Sequence, residues 1–408
     1  MSHRTAAQWP GTRSPALWAA VVLTLVAVLV GAAVIAIRAG GQAPNPRTVG
    51  QLAPGPQTGP GRNEPAQTDT SPRCDPVVAL GQLPLRRRLA QLIMVGVDPS
   101  GPGEARDVVA DEQVGGIFVG GTATGLLSNG ALDQVQSVAK LPVAVAVDDE
   151  GGRVQRLDEI AGPIPSARKM AATMSPQQVY QLARERGAAL RTSGVTVDFA
   201  PTIDVSDQPD HEVIGDRSFS SDPEVVARYA DAFARGLRDS GVLPVFKHFP
   251  GHGRADGDSH QGGVTTPPVT DLAHRDLLPY RRLLGTGAAG VMVGHLDVPG
   301  LTAPGVPASI SPAALGLLRD ELGYQELVIS DDLGAMRAIS DRVDLPEAVR
   351  QTLAAGVDMA LWTTPARLGE VLDHLEQAVA SGTLPQRRVD EAVLHVLHAK
   401  GIDPCRLP

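Results

Sequence analysis

"ELVISDD" (residues 326–332) is an apolar run that closes on two carboxylates. "LPVFKHF" (243–249) follows the same rule, with Lys247 and His248 near its end. Six further short runs are apolar: "LIMVGV" (92–97), "GGIFVG" (115–120), "PVAVAVD" (142–148), "VTVDFAP" (195–201), "GVMVGHL" (290–296) and "MALWTT" (359–364). Runs apolar on both faces read as strands covered by helices on both sides. Helical stretches lie between them. "SPQQVYQLARERGAALRTSG" opens with a Ser cap and stops at Gly194, and "DPEVVARYADAFARGLRDSG" opens with Asp222 before a proline and stops at Gly241. "SPAALGLLRDELG" repeats the Ser-Pro start and the Gly stop.

Eight strand–helix repeats predict an α/β fold, a (β/α)8 TIM-type barrel. A doubly wound open sheet is the alternative. The polar residues discriminate between them. Asp148, Lys247, His248, His295, Asp331 and Asp332 all fall where a strand ends. In a barrel, those ends converge on one mouth, whereas an open sheet spreads them along a line.

The chain has 408 residues, 43% hydrophobic and 20% charged, with a net charge of −9. That is globular composition with an acidic balance and no basic stripe, which argues against nucleic acid as a partner. The first residues differ from the rest. "ALWAAVVLTLVAVLVGAAVIAI" (16–37) carries no charge and follows Arg4 and Arg13. Its length matches the roughly 20 residues a membrane-spanning helix needs. It exceeds the ordinary signal-peptide core of about 7–15 residues. An uncleaved signal anchor is favoured over a cleaved signal that would release a secreted protein. Residues 1–15 then form a cytoplasmic segment, residues 38–73 a Pro/Gly-rich disordered linker, and residues 74–408 one catalytic domain outside the cell membrane. Only two cysteines occur, Cys74 and Cys405, and they bracket that domain. A disulfide joining them suits an oxidising compartment.

"KHFPGHGRADGDSH" (247–260) concentrates the chemistry. His248, His252 and His260 have a spacing that a metal site permits, but no Cys or Glu-x-x-His partner accompanies them, so no metal is expected. The glycines suggest a mobile loop carrying Asp258 and His260, and a carboxylate beside an imidazole poises it for proton transfer. A Ser-His-Asp reading through Ser259 is disfavoured, because three nearly adjacent residues rarely reach that geometry. "VDDEGGRVQRL" (147–157) offers Asp148, Arg153 and Arg156 beside a Gly pair, and "GDRSFSSDP" (215–223) offers Arg217 before a helix.

"VDDEGGRVQR", "DRSFSSDP", "FKHFPGHGRADGDSH" and "VISDDLGAM", in this order, resemble the single-domain β-N-acetylglucosaminidases of glycoside hydrolase family 3. The resemblance runs from about Leu80 to Lys400 and implies a (β/α)8 barrel. By position it implies that Asp331 is the nucleophile and His260 the acid/base, with Asp258 as its partner. It assigns Asp148, Arg156, Arg217, Lys247 and His248 to the non-reducing N-acetylglucosamine. One position departs: Asp149 stands where the pattern has glutamine, which expects an extra negative charge near the sugar. The implied reaction is retaining removal of terminal β-linked N-acetylglucosamine from a glycan or muropeptide of peptidoglycan, with no cofactor, by a monomer. Two other readings remain. An imidazole acid is less negative than a carboxylate and leaves room for phosphate, hence a β-N-acetylglucosaminide phosphorylase. The other is a membrane-tethered sugar-binding protein without activity.

Overall fold

The computed structural model describes residues 74–407. The expected cytoplasmic segment, membrane anchor and linker (1–15, 16–37 and 38–73) lie outside the described residues. Among the described residues, no helix is long and apolar enough to cross a membrane.

All eight apolar runs are strands: Ile93–Gly96, Gly116–Phe118, Ala144–Val147, Val197–Asp198, Leu243–Phe249, Gly290–Val293, Val328–Asp332 and Met359–Trp362. Each pairs in parallel with its neighbours in chain order, and the eighth closes onto the first through Ile93↔Ala360 and Met94↔Leu361. The result is a closed barrel rather than an open sheet. The strands are buried almost throughout, which is why their sequences show no polar alternation.

The surrounding helices begin where the caps predict. Ser175 and Gln178 form a reciprocal capping box at the start of Pro176–Thr192. Asp222 accepts the Glu224 amide at the start of Pro223–Asp239. These two helices pack against each other outside the barrel. The third expected helix begins with a Ser311 cap at Pro312 and widens into a π-helical turn over Leu317–Glu321. There the Arg319 guanidinium turns to the buried Asp358, 2.5 Å away. The sequence pattern also misses a two-stranded parallel sheet, Val264–Thr265 with Leu296–Asp297. Two-residue strands are too short to show any period.

Cys74 and Cys405 are joined in a disulfide across 331 residues of sequence. The short helix Pro76–Leu80 rests on the final helix Gln386–Ala399 and on the turn Pro404–Arg406. Both ends of the barrel domain therefore meet at one place.

Candidate active site

The C-terminal strand ends surround a cavity of about 420 Å³. Each of the eight strands, or the residues directly after it, contributes to its wall, from Gly96 to Thr363. Asp148, Arg156, Arg217, Lys247, His248, His260 and Asp331 all line it. Segments far apart in sequence thus deliver their charged groups to one opening, as parallel strands in a barrel must.

One side of the cavity is an ion network. Lys247 Nζ lies 2.6 Å from Asp148 Oδ1 and 2.6 Å from Glu150 Oε1. Glu150 also accepts two hydrogen bonds from Arg217, at 2.7 and 2.9 Å, and one from the Thr202 hydroxyl at 3.1 Å. Burial pushes the Glu150 carboxyl up, but Arg217 and Lys247 reverse this and hold it well below the usual carboxylate range. Burial likewise pushes the Lys247 ammonium down, and Asp148 and Glu150 bring it above its ordinary value. Glu150, Arg217 and Lys247 are thus held in their charged forms, and the network fixes the directions of Asp148 and Arg217. Arg156 donates to the Gln155 carbonyl, while its buried Nε has no partner among the described residues.

The opposite wall carries the adjacent carboxylates. Neighbours on a strand are expected to point to opposite faces, yet both line the cavity, and it is their bonding that differs. Asp332 is consumed by structure: its Oδ1 accepts the Gly334 and Ala335 amides, and its Oδ2 accepts the Thr363 hydroxyl. Asp331 accepts only the Asp332 amide among the described residues. Burial raises its carboxyl, but His248, His295 and that amide outweigh burial and leave it below the ordinary value. His295, a strand-end residue, does not line the cavity. It is buried behind, bridging the Asp332 carbonyl and the Ser309 hydroxyl.

The loop after the fifth strand brings His260 to the cavity rim, exposed, with its Nδ1 2.8 Å from Asp258 Oδ1. Asp258 also accepts the His260 amide and the Gln261 side chain. Burial pushes Asp258 up, yet its bonds to His260 pull it below the usual range. Asp258 itself lines a neighbouring cavity, shared with His260 and with Arg153. Arg153 is held by Asp216 and by the carbonyls of residues 212–214, so it does not line the main cavity. Two loop glycines that suggest mobility serve close packing instead. A Cβ at Gly253 would sit 2.2 Å from the Val205 carbonyl oxygen, and one at Gly251 would sit 2.7 Å from Asp276 Cβ. The Ser259 hydroxyl faces His252 Nε2 at 3.5 Å rather than His260. The histidines spaced for a metal turn to separate partners, and among the described residues no metal-holding cluster forms.

The expectation for Asp149 needs correction. It is wholly buried, turned out of the cavity, and held by the Arg186 guanidinium and the Arg156 amide. Its carboxylate is paired with Arg186 inside the wall and does not line the cavity. Three residues escaped the sequence reading: Glu150, Asp204 and Arg186. Asp204 accepts His248 Nδ1 at 2.7 Å and the His252 amide at 2.6 Å, which orients the His248 ring. The signal was there: "FAPTIDV" (199–205) is an apolar stretch with one carboxylate, and a charge so placed needs a partner.

A family model described as "Glycosyl hydrolase family 3 N terminal domain" matches residues 84–399. The chain is 54% identical over 326 residues to the beta-hexosaminidase LpqI of Mycobacterium tuberculosis, covering 78% of this chain and 83% of that protein. A Nitrosomonas eutropha beta-hexosaminidase is 35% identical, covering 64% of this chain and 77% of its own. Among solved structures, a family 3 glycosyl hydrolase from Mycobacterium smegmatis superposes with a TM-score of 0.76 at 51% identity, covering 80% of this chain and 98% of that one. A family 3 β-N-acetylglucosaminidase from Paenibacillus gives 0.74 at 32% identity, covering 78% and 62%.

Proposed function

The chain belongs to glycosyl hydrolase family 3, and from that premise we propose how its cavity works. The enzyme is a glycoside hydrolase, an exo-β-N-acetylglucosaminidase. The observation that carries the mechanism is the pairing across one cavity of Asp331, kept ionised by its neighbours, with His260, whose Nδ1 is taken by Asp258. Asp331 attacks the anomeric carbon and forms a covalent glycosyl-enzyme. His260 donates a proton from Nε2 to the leaving oxygen, then removes one from the incoming water. Configuration is retained. Asp258 fixes the ring tautomer and stabilises the imidazolium that forms in the second step.

Asp148, Arg156, Arg217, Lys247 and His248 bind the non-reducing N-acetylglucosamine. Support for this lies in their arrangement. A buried network of alternating charge offers carboxylate acceptors and cationic donors to sugar hydroxyls without moving, so little ordering cost falls on binding. The leaving group is a peptidoglycan fragment. The disulfide supports an extracytoplasmic setting, with residues 16–37 as a single-pass anchor or, if they are cleaved, with a secreted enzyme. A single chain supplies every member of the site, so the protein works as a monomer.

The test is hydrolysis of aryl N-acetyl-β-glucosaminides with graded leaving groups, with and without phosphate. His260→Ala slows poor leaving groups by about 10²–10⁴-fold and good ones far less. Equal losses across the series remove the acid role, and phosphate-dependent release of a sugar 1-phosphate converts the enzyme into a phosphorylase.

A further inference from the structure

The barrel has a second cavity, of about 500 Å³, at the opposite end. Its floor is made by residues at the N-terminal ends of the strands, among them Met94, Ala144, Val197 and Met359. Its wall carries three cations, Arg191, Arg238 and Lys400, and among the described residues no carboxylate lines it.

Among the described residues, no carboxylate forms an ion pair with those cations. Lys400 Nζ donates to the Gln91 side-chain carbonyl at 2.8 Å and to the Gly115 carbonyl at 3.1 Å. Among the described residues, Arg191 reaches only the Val195 carbonyl at 3.3 Å, and Arg238 only the Ala288 carbonyl at 3.5 Å. All four partners are neutral oxygens. The acids nearest Arg238, namely Asp231, Asp239 and Glu326, act on it at a distance and stand outside the cavity. Three positive groups round one space are mutually repulsive; Arg191 is exposed, but Arg238 and Lys400 are half-buried, where cations without counter-charges are costly. The catalytic reading gives them no role, since they lie at the far end from Asp331.

We propose that this cavity binds an amphiphilic phosphate monoester, its dianionic head held by Arg191, Arg238 and Lys400 and its apolar substituent laid on the barrel floor. The size is that of a small-molecule site, for which about 300–1,000 Å³ is usual. Guanidinium groups suit phosphate oxygens through paired donors, and an ammonium adds a point charge. Burial alone pushes the Lys400 ammonium down to about 7, so the counter-charge that would hold it protonated is missing. A phosphate provides that charge. Such a group occurs on soluble organic phosphates and on lipids, and the chemistry of the cavity is the same for both.

The test reads Lys400 directly. The chain has four lysines, and Lys140 and Lys169 are exposed controls. The full chain, held in phosphatidylcholine nanodiscs, is trace-labelled with acetic anhydride at pH 8 and mapped by mass spectrometry. Phenyl phosphate is expected to slow acetylation of Lys400 about tenfold or more, through occupancy and protonation, while Lys140 and Lys169 stay unchanged. Benzyl alcohol gives no protection and inorganic phosphate less than phenyl phosphate. Arg238→Gln weakens phenyl phosphate protection by about tenfold. Protection when phosphatidic acid is added to the nanodisc assigns the lipid source, and protection by phenyl phosphate alone assigns a soluble one. Unchanged Lys400 labelling with both probes overturns the proposal. So does equal protection by benzyl alcohol, which removes the need for charge, or by inorganic phosphate, which leaves the apolar floor idle. Activity toward aryl glycosides is measured in parallel, so failure of this site leaves the catalytic reading standing.

Discussion

The two ends of the barrel each hold a lysine, Lys247 buried and Lys400 half-buried, and the two behave in opposite ways. Lys247, at the C-terminal mouth, lies among Asp148 and Glu150 and is held above its ordinary value despite burial. Lys400, at the other end, has only neutral oxygens as partners among the described residues and falls to about 7. Both lose solvent, Lys247 more than Lys400. The difference lies in counter-charges, and it shows that partners, not depth, decide whether a buried ammonium keeps its proton. It also separates two kinds of site: a mouth whose charges are already balanced before substrate arrives, and a base whose charges are not.

The largest effect expected on this contrast comes from the mouth. Asp331→Ala lowers kcat for an aryl N-acetyl-β-glucosaminide by about four orders of magnitude or more, with the urea midpoint nearly unchanged. Lys400→Met, at the other end, leaves kcat/KM within about twofold, since it touches no reacting group. Comparable losses in both variants would erase the division of labour between the ends.

Next is Glu150→Gln, which strips one carboxylate from a network holding Lys247 and Arg217. The two cations are left buried and underbalanced, and urea denaturation should show a loss of about 3–5 kcal/mol. The ammonium of Lys247 in this variant moves toward the condition of Lys400. A loss under about 1 kcal/mol would mean that Asp148 alone suffices.

The smallest effect concerns stability against pH. Lys400 has a folded-state value depressed from 10.5 to about 7. Between those values the unfolded chain binds more protons at this group, so stability rises with pH across that window. Lys400→Met should flatten that rise by roughly 1–3 kcal/mol, read from urea midpoints at pH 7 and pH 10. An unchanged slope would place the ammonium in contact with solvent.

Much of this architecture was legible because barrel strands buried on both faces must be apolar until they reach the mouth. "ELVISDD" and "LPVFKHF" show that switch plainly, and both are strands ending in the cavity wall. Strand alternation alone did not separate the two carboxylates, since both line the cavity; their bonding does, with Asp332 bound up in turn amides. What escaped was partner identity. Glu150 and Asp204 act through residues 67 and 44 positions away, Arg217 and His248. No local pattern encodes such a pairing. Asp149 misled for the same reason: its neutralising partner, Arg186, sits 37 residues on, inside a helix whose sequence looks like any other exposed face.

The covalent bond between Cys74 and Cys405 has a mechanical consequence. A pull on the chain ahead of residue 74 reaches the domain where its first and last segments are already welded together. The load is carried through sulfur to the closing helix, and the opening helix cannot be peeled away alone. A leash fastened there can tug on the enzyme without loosening the end that does the cutting.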